Sequence, residues 1–184
     1  MKRIARRRLT MLLACVFGGA PAGAHPVDEV VQGAYLTLIP GKVQLELDVT
    51  PGQAVSSTVI KALDANSDGR ISTSEARSYA TRVLNQSTLT LGGTPVRWTL
   101  DRVEVPVVPH LKVGGGILKI YAFAPRADRA GVQTLTYQNR YQPAKSQWTA
   151  NVFLQPGGGW AYQVTGQTRS NDGRQLTVTY KVTR

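Results

Sequence analysis

An antiparallel β-sandwich carrying one inserted helix–loop–helix is the fold this sequence predicts, and three observations predict it. Most of the chain after residue 25 alternates apolar and polar side chains with period two, the mark of half-buried strands. Clusters of Gly, Pro, Asn and Asp cut that alternation into short runs. A single interval, from Gln53 to Asn85, changes to a helical period. A chain of 184 residues suffices for one domain with its own core.

In chain order, the first element is a leader rather than part of that domain. Lys2, Arg3, Arg6, Arg7 and Arg8 precede an apolar run from Leu9 to Phe17, and the small residues Ala22-Gly23-Ala24 follow. This is the layout of a secretion signal, which implies a signal peptide over 1–24 and a mature domain over 25–184. The apolar run is shorter than the ~20 residues a permanent span needs. Arg6-Arg7 followed by Leu9 also resembles a twin-arginine signal. Leu12-Leu13-Ala14-Cys15 fits a lipoprotein box that would anchor the chain through Cys15, ranked below cleavage after Ala24. Cys15 is the only cysteine, so the mature chain is expected to have no disulfide, no zinc-thiolate site and no thiol nucleophile.

The net charge of +11 falls to 17 basic against 11 acidic residues once the leader is set aside. The basic residues are scattered, so nucleic acid is not an expected partner. No later stretch holds 18 consecutive apolar residues, so no transmembrane segment is expected in the mature chain. Localisation is expected to be secreted or periplasmic, with an envelope protein as a conceivable partner.

Strands are expected at Tyr35–Ile39 and across Val43, Leu45, Leu47 and Val49, separated by Pro40-Gly41. Val96, Trp98 and Leu100 alternate with Arg97 and Thr99. Val103–Val108, Ile117–Phe123, Val132–Tyr137, Asn151–Leu154 and Trp160–Thr165 follow. Leu176, Val178, Tyr180 and Val182 close the series. Nine or so short strands at this spacing point to a sandwich. In the helical interval Val55, Val59 and Leu63 share one face, and Ala76, Tyr79, Ala80, Val83 and Leu84 share another.

Between those two faces stands Asp64-Ala65-Asn66-Ser67-Asp68-Gly69-Arg70-Ile71-Ser72-Thr73-Ser74-Glu75. A hard cation takes six to eight oxygens, and a short loop supplies them when alternate residues turn inward. Asp64, Asn66 and Asp68 are short oxygen-bearing side chains at positions 1, 3 and 5. Gly69 stands where a sharp turn is needed, and Arg70 would offer its backbone carbonyl. Ser72 would act directly or through water, and Glu75 is long enough to return from a following helix and close the shell. The competing reading is a polar turn followed by a capping box, Ser72-x-x-Glu75. That accounts for two residues but not for Asp64, Asn66, Asp68 and Gly69 in register with them.

This segment resembles the EF-hand family over about 33 residues, 53–85. The resemblance implies one Ca²⁺ bound by Asp64, Asn66, Asp68, Arg70, Ser72 and Glu75, with Ile71 as the usual apolar residue of the loop. Ala76 departs from the large hydrophobe that usually follows the closing glutamate. With no second loop to pair with, the implied affinity is weak, a Kd of about 10⁻⁴–10⁻³ M, and the role mostly structural. Mg²⁺ is the lesser competitor, because a bidentate glutamate favours the larger ion.

Other candidates are weaker. His25 would begin the mature chain and, with His110, could hold copper as an alternative metal-handling site. Tyr137, Tyr141, Trp148, Trp160 and Tyr162 could line a ligand or carbohydrate surface, or pack the core. With two histidines and no recognisable nucleophile–base arrangement, no enzyme is expected. The start Ala24-His25-Pro26 and the stretch Tyr137-Gln138-Asn139-Arg140-Tyr141 also look like the extracytoplasmic part of proteins associated with hydrogenase and urease accessory nickel permeases. That resemblance implies a periplasmic accessory or sensor domain, although this chain lacks the membrane helices of such permeases.

Overall fold

The computed structural model describes residues 27–184. The expected signal peptide over 1–24, with Cys15, and the copper candidate His25 lie outside the described residues. In order, the chain forms β1 (Val30–Ile39), β2 (Lys42–Pro51), a 3₁₀ turn (Gln53–Val55), α1 (Ser56–Leu63), α2 (Thr73–Leu84), β3 (Ser87–Leu91), β4 (Thr94–Val96) and β5 (Thr99–Glu104). Then come α3 (Val108–Lys112), β6 (Leu118–Pro125), β7 (Gly131–Asn139), β8 (Ser146–Leu154), β9 (Ala161–Arg169) and β10 (Gln175–Thr183).

The strands assemble into two five-stranded sheets, ordered β5-β6-β2-β1-β8 and β4-β3-β7-β10-β9. Each inner face is set by the alternation already visible in the sequence. Leu36, Leu38, Val43, Leu45, Leu47 and Ile120 bury their side chains from the first sheet, and Leu89, Leu135, Val178, Tyr180 and Val182 from the second. They share one core, a sandwich-like arrangement. The β1–β2 hairpin pairs Ile39 with Lys42 across Pro40-Gly41. Gly41 takes φ +80, which a side chain would strain, so this turn needs its glycine. Among the described residues no helix is long and apolar enough to cross a membrane.

Several expectations need correcting. The sheets are not wholly antiparallel: β1 pairs β8 in parallel, Val30 with Ser146 through Leu38 with Leu154. The run Val96–Leu100 is not one strand. It breaks at Arg97-Trp98, where the chain leaves the second sheet and enters the first. The run Val103–Val108 ends as a strand at Glu104, because Pro106 cannot continue the ladder. Val108 then opens α3, with Pro109 in its first turn. The strand β3 was hidden behind the helical pattern that ends at Leu84.

Candidate metal centre

The helical faces fold as their period requires. Val59 and Leu63 of α1 and Ala76, Tyr79, Ala80, Val83 and Leu84 of α2 are all buried. The α2 helix is also tied to the sandwich by a polar contact, since the Tyr79 and Tyr141 hydroxyls hydrogen-bond at 2.7 Å. Tyr141 in turn lies in a buried network. Its amide donates to Asn139 Oδ1 at 2.9 Å, and its carbonyl accepts from Gln32 Nε2 at 2.9 Å and Trp148 Nε1 at 3.1 Å.

Between α1 and α2 the chain turns tightly around its own carboxylates. Asp64 closes α1, its amide donating to the Ile60 carbonyl at 2.8 Å. The residue is only 7% exposed. Asp64 Oδ1 accepts the Asp68 amide at 3.1 Å and Oδ2 the Gly69 amide at 2.9 Å. Asn66 Oδ1 also accepts the Asp68 amide, at 3.0 Å, and Asp68 Oδ1 accepts the Arg70 amide at 2.8 Å. These are turns in which a short oxygen-bearing side chain holds an amide further along. They need left-handed backbone at Ser67, φ +60, and Gly69, φ +79. Glycine meets that need at no steric cost, whereas Ser67 pays a modest one.

Glu75 sits in the first turn of α2 and spans the whole loop. Its Oε1 accepts the Ala65 amide at 3.0 Å and the Asn66 amide at 3.3 Å. Its Oε2 accepts the Ser72 amide at 2.9 Å and the Ser72 hydroxyl at 2.7 Å. Ser72 is the N-cap, and its Oγ accepts the Glu75 amide at 3.3 Å, so the capping box is present. These donors hold the Glu75 carboxyl below the ordinary glutamate range, the Ser72 hydroxyl foremost and then the Ser72 amide.

The donor set fits a hard cation in kind. Asp64, Asn66, Asp68, Ser72 and Glu75 offer only oxygen toward such an ion, and Arg70 adds a carbonyl. Among the described residues, however, no group of three or more His, Cys, Asp or Glu side chains is gathered so as to hold a metal. The hydrogen bonds explain why. A carboxylate has about four acceptor sites, and Glu75 uses all of them on Ala65, Asn66 and Ser72. Asp64 uses only two, on Asp68 and Gly69. Glu75 would therefore have to exchange amide partners for an ion, while Asp64 could keep its own.

The other candidates fall elsewhere. His110 is exposed on α3, and its supposed copper partner His25 is outside the described residues. Tyr137, Tyr141 and Tyr162 are buried, so they pack the core and form no surface. Trp148 is covered by the Arg174 guanidinium 3.9 Å from its ring centre. The exposed aromatic side chains lie instead on the outer face of the first sheet, at Tyr35 and Phe153. Their signal was present but unread: both stand out of phase with the apolar positions of their strands. No family model matches the chain, and no curated protein matches it significantly.

Proposed function

We propose that this protein is an exported module in which the loop Asp64–Glu75 binds one Ca²⁺. Asp64, Asn66, Asp68, the Arg70 carbonyl, Ser72 and Glu75 would hold the ion. The observation that carries this reading is the reach of Glu75, whose carboxylate leaves the start of α2 and meets Ala65 and Asn66 at the start of the loop. An ion at that point would draw both ends of the loop together. It would also neutralise the carboxylates of Asp64, Asp68 and Glu75 as it gathered them. The alternative use of the same carboxylate, as a capping box alone, involves Ser72 and leaves the contacts to Ala65 and Asn66 unexplained.

Bound calcium would stabilise this helix–loop–helix as an EF-hand, and through the Tyr79–Tyr141 contact it would steady the adjoining end of the sandwich. An unpaired loop suits an affinity of about 10⁻⁴–10⁻³ M. Export, which rests on the basic and apolar pattern of residues 1–24, would place the site in a calcium-rich space. The role is then structural within an accessory or binding module, and no catalysis is assigned. The test is isothermal titration of metal-free protein with CaCl₂ and separately with MgCl₂. One calcium per chain at sub-millimolar to millimolar concentration supports the site, and no calcium heat with no shift in thermal unfolding sinks it.

A further inference from the structure

The outer face of the first sheet forms a cleft of about 720 Å³ floored by four strands of the sheet and bordered by β5. Strand register fixes what it presents. Tyr121 of β6, Glu46 of β2 and Tyr35 of β1 stand in one row. In the next row stand Phe123, Gln44, Thr37 and Phe153, the last on β8. None of these side chains contributes to the core beneath. Phe153 is 52% exposed and Tyr35 36% exposed.

The two exposed rings are arranged as a platform. A Cβ at Gly33 would come within 3.1 Å of the Tyr35 Oη and 3.3 Å of its ring carbons. The Tyr35 ring therefore lies down over Gly33 and turns a face outward. Phe153 stands beside it, ring centres 6.4 Å apart and planes tilted by 33°. Such faces favour a flat, partly apolar ligand.

The charges of the cleft answer one another. Lys119 Nζ lies 2.5 Å from Glu46 and 3.6 Å from Asp48. Arg102 pairs with Asp101 and Glu104, each at 3.2 Å, and lies over Tyr121 at 3.5 Å. Lys42 lies over the Phe123 ring at 5.5 Å. Every cation is thus engaged by a carboxylate or a ring, and an ionic ligand of either sign would meet its like charge. The acceptors that stay open to a ligand are the part-exposed carboxylate of Glu46 and the exposed one of Asp101. A carboxylate has about four acceptor sites, so one held in an ion pair still suits an incoming hydroxyl.

From this combination we propose that the cleft binds a neutral oligosaccharide, with sugar rings laid on Tyr35 and Phe153 and a hydroxyl donated to Glu46, which stands opposite Tyr35 in the sheet. Stacking supplies the apolar contact, and the fixed ion pairs offer hydrogen-bonding groups that need no rearrangement. It stands apart from the calcium loop and does not depend on it.

The experiment titrates the purified protein with cellohexaose, xylohexaose and chitohexaose, with polygalacturonate and polylysine as charged comparisons. At least one neutral hexasaccharide should bind with a Kd at or below about 1 mM. Phe153→Ala should weaken that binding about tenfold or more, as should Tyr35→Ala, while Tyr35→Phe should restore it. Phe153 is exposed, so its variant keeps the fold, which thermal unfolding checks. Binding to none of the three hexasaccharides overturns the proposal. So does unchanged affinity in Phe153→Ala, tighter binding of a charged polymer, or self-association of the wild type that Phe153→Ala abolishes.

Discussion

The loop Asp64–Glu75 and the outer face of the first sheet differ in how the chain builds them. The loop is twelve consecutive residues whose oxygens bond to amides two to ten positions away. The platform takes Tyr35 and Phe153 from strands far apart in sequence, and only the β1–β8 pairing brings them together. A site of the first kind can form before the fold is complete, whereas one of the second kind exists only once the sheet does. The loop should therefore be tunable with the sandwich intact, and the platform should be lost with the sandwich.

The strongest test of that division lies where the local element meets the global one. Tyr79 is buried on α2, and its hydroxyl is paired with Tyr141. Tyr79→Ala should cost about 3–5 kcal/mol in denaturant unfolding, because it leaves a cavity and an unpartnered Tyr141 hydroxyl. Tyr79→Phe should cost about 1–2 kcal/mol. If Tyr79→Ala proved nearly neutral, the helix pair would be an ornament on the sandwich and calcium could not steady the domain through it.

Next in size is the calcium linkage. At a free ion concentration 100 times Kd, the wild type should gain about 2.7 kcal/mol. Glu75→Gln should gain almost nothing, since an amide offers one oxygen and no charge. Without calcium the two should differ little, by the modest contribution of the capping box. Equal calcium shifts in both proteins would show that Glu75 is not the closing ligand.

The same division explains what could be read from the sequence. The two buried helix faces and the β1–β2 hairpin were legible because each is set by neighbours along the chain. The return of Glu75 to the start of the loop is also local, across ten positions, but the sequence alone set an ion where the structure has the Ala65 amide. The parallel pairing of β1 with β8 was not legible, because nothing within Val30–Leu38 names a partner more than a hundred residues later. The same distance hid the platform. Tyr137, Tyr141 and Tyr162 drew attention as clustered aromatics, yet sheet phase turns them inward and leaves Tyr35 and Phe153 outside. The move from β4 to β5 was missed because alternation continues across Arg97-Trp98 while the chain changes sheets.

Alkali should sharpen the contrast further. Burial raises the Tyr79, Tyr137 and Tyr141 hydroxyls above the ordinary tyrosine value of about 10. The unfolded chain then loses these protons at lower pH than the folded one, so stability is complete below about pH 10 and falls as pH rises beyond it. Denaturant unfolding from pH 8 to 11 should show this decline, less steeply in Tyr79→Phe. A flat profile would mean that these hydroxyls are not held in the core.

The smallest expected effect concerns the platform itself. Phe153 is half exposed on the outer face, and its removal should change unfolding free energy by no more than about 0.5 kcal/mol. Leu36, fully buried on the inner face of the adjoining strand, should cost about 2–5 kcal/mol when cut to alanine. The two residues belong to neighbouring strands, at Leu36↔Val152 and Thr37↔Phe153, so sheet position is nearly the same and only the face differs. A large aromatic ring kept on the solvent side gains little for folding, which leaves ligand contact as the use for its area. Should Phe153→Ala destabilise the fold as much as Leu36→Ala, the ring would be packing the sheet and would not be free to receive a sugar. Urea unfolding of the two variants beside the wild type decides between these outcomes without any ligand present.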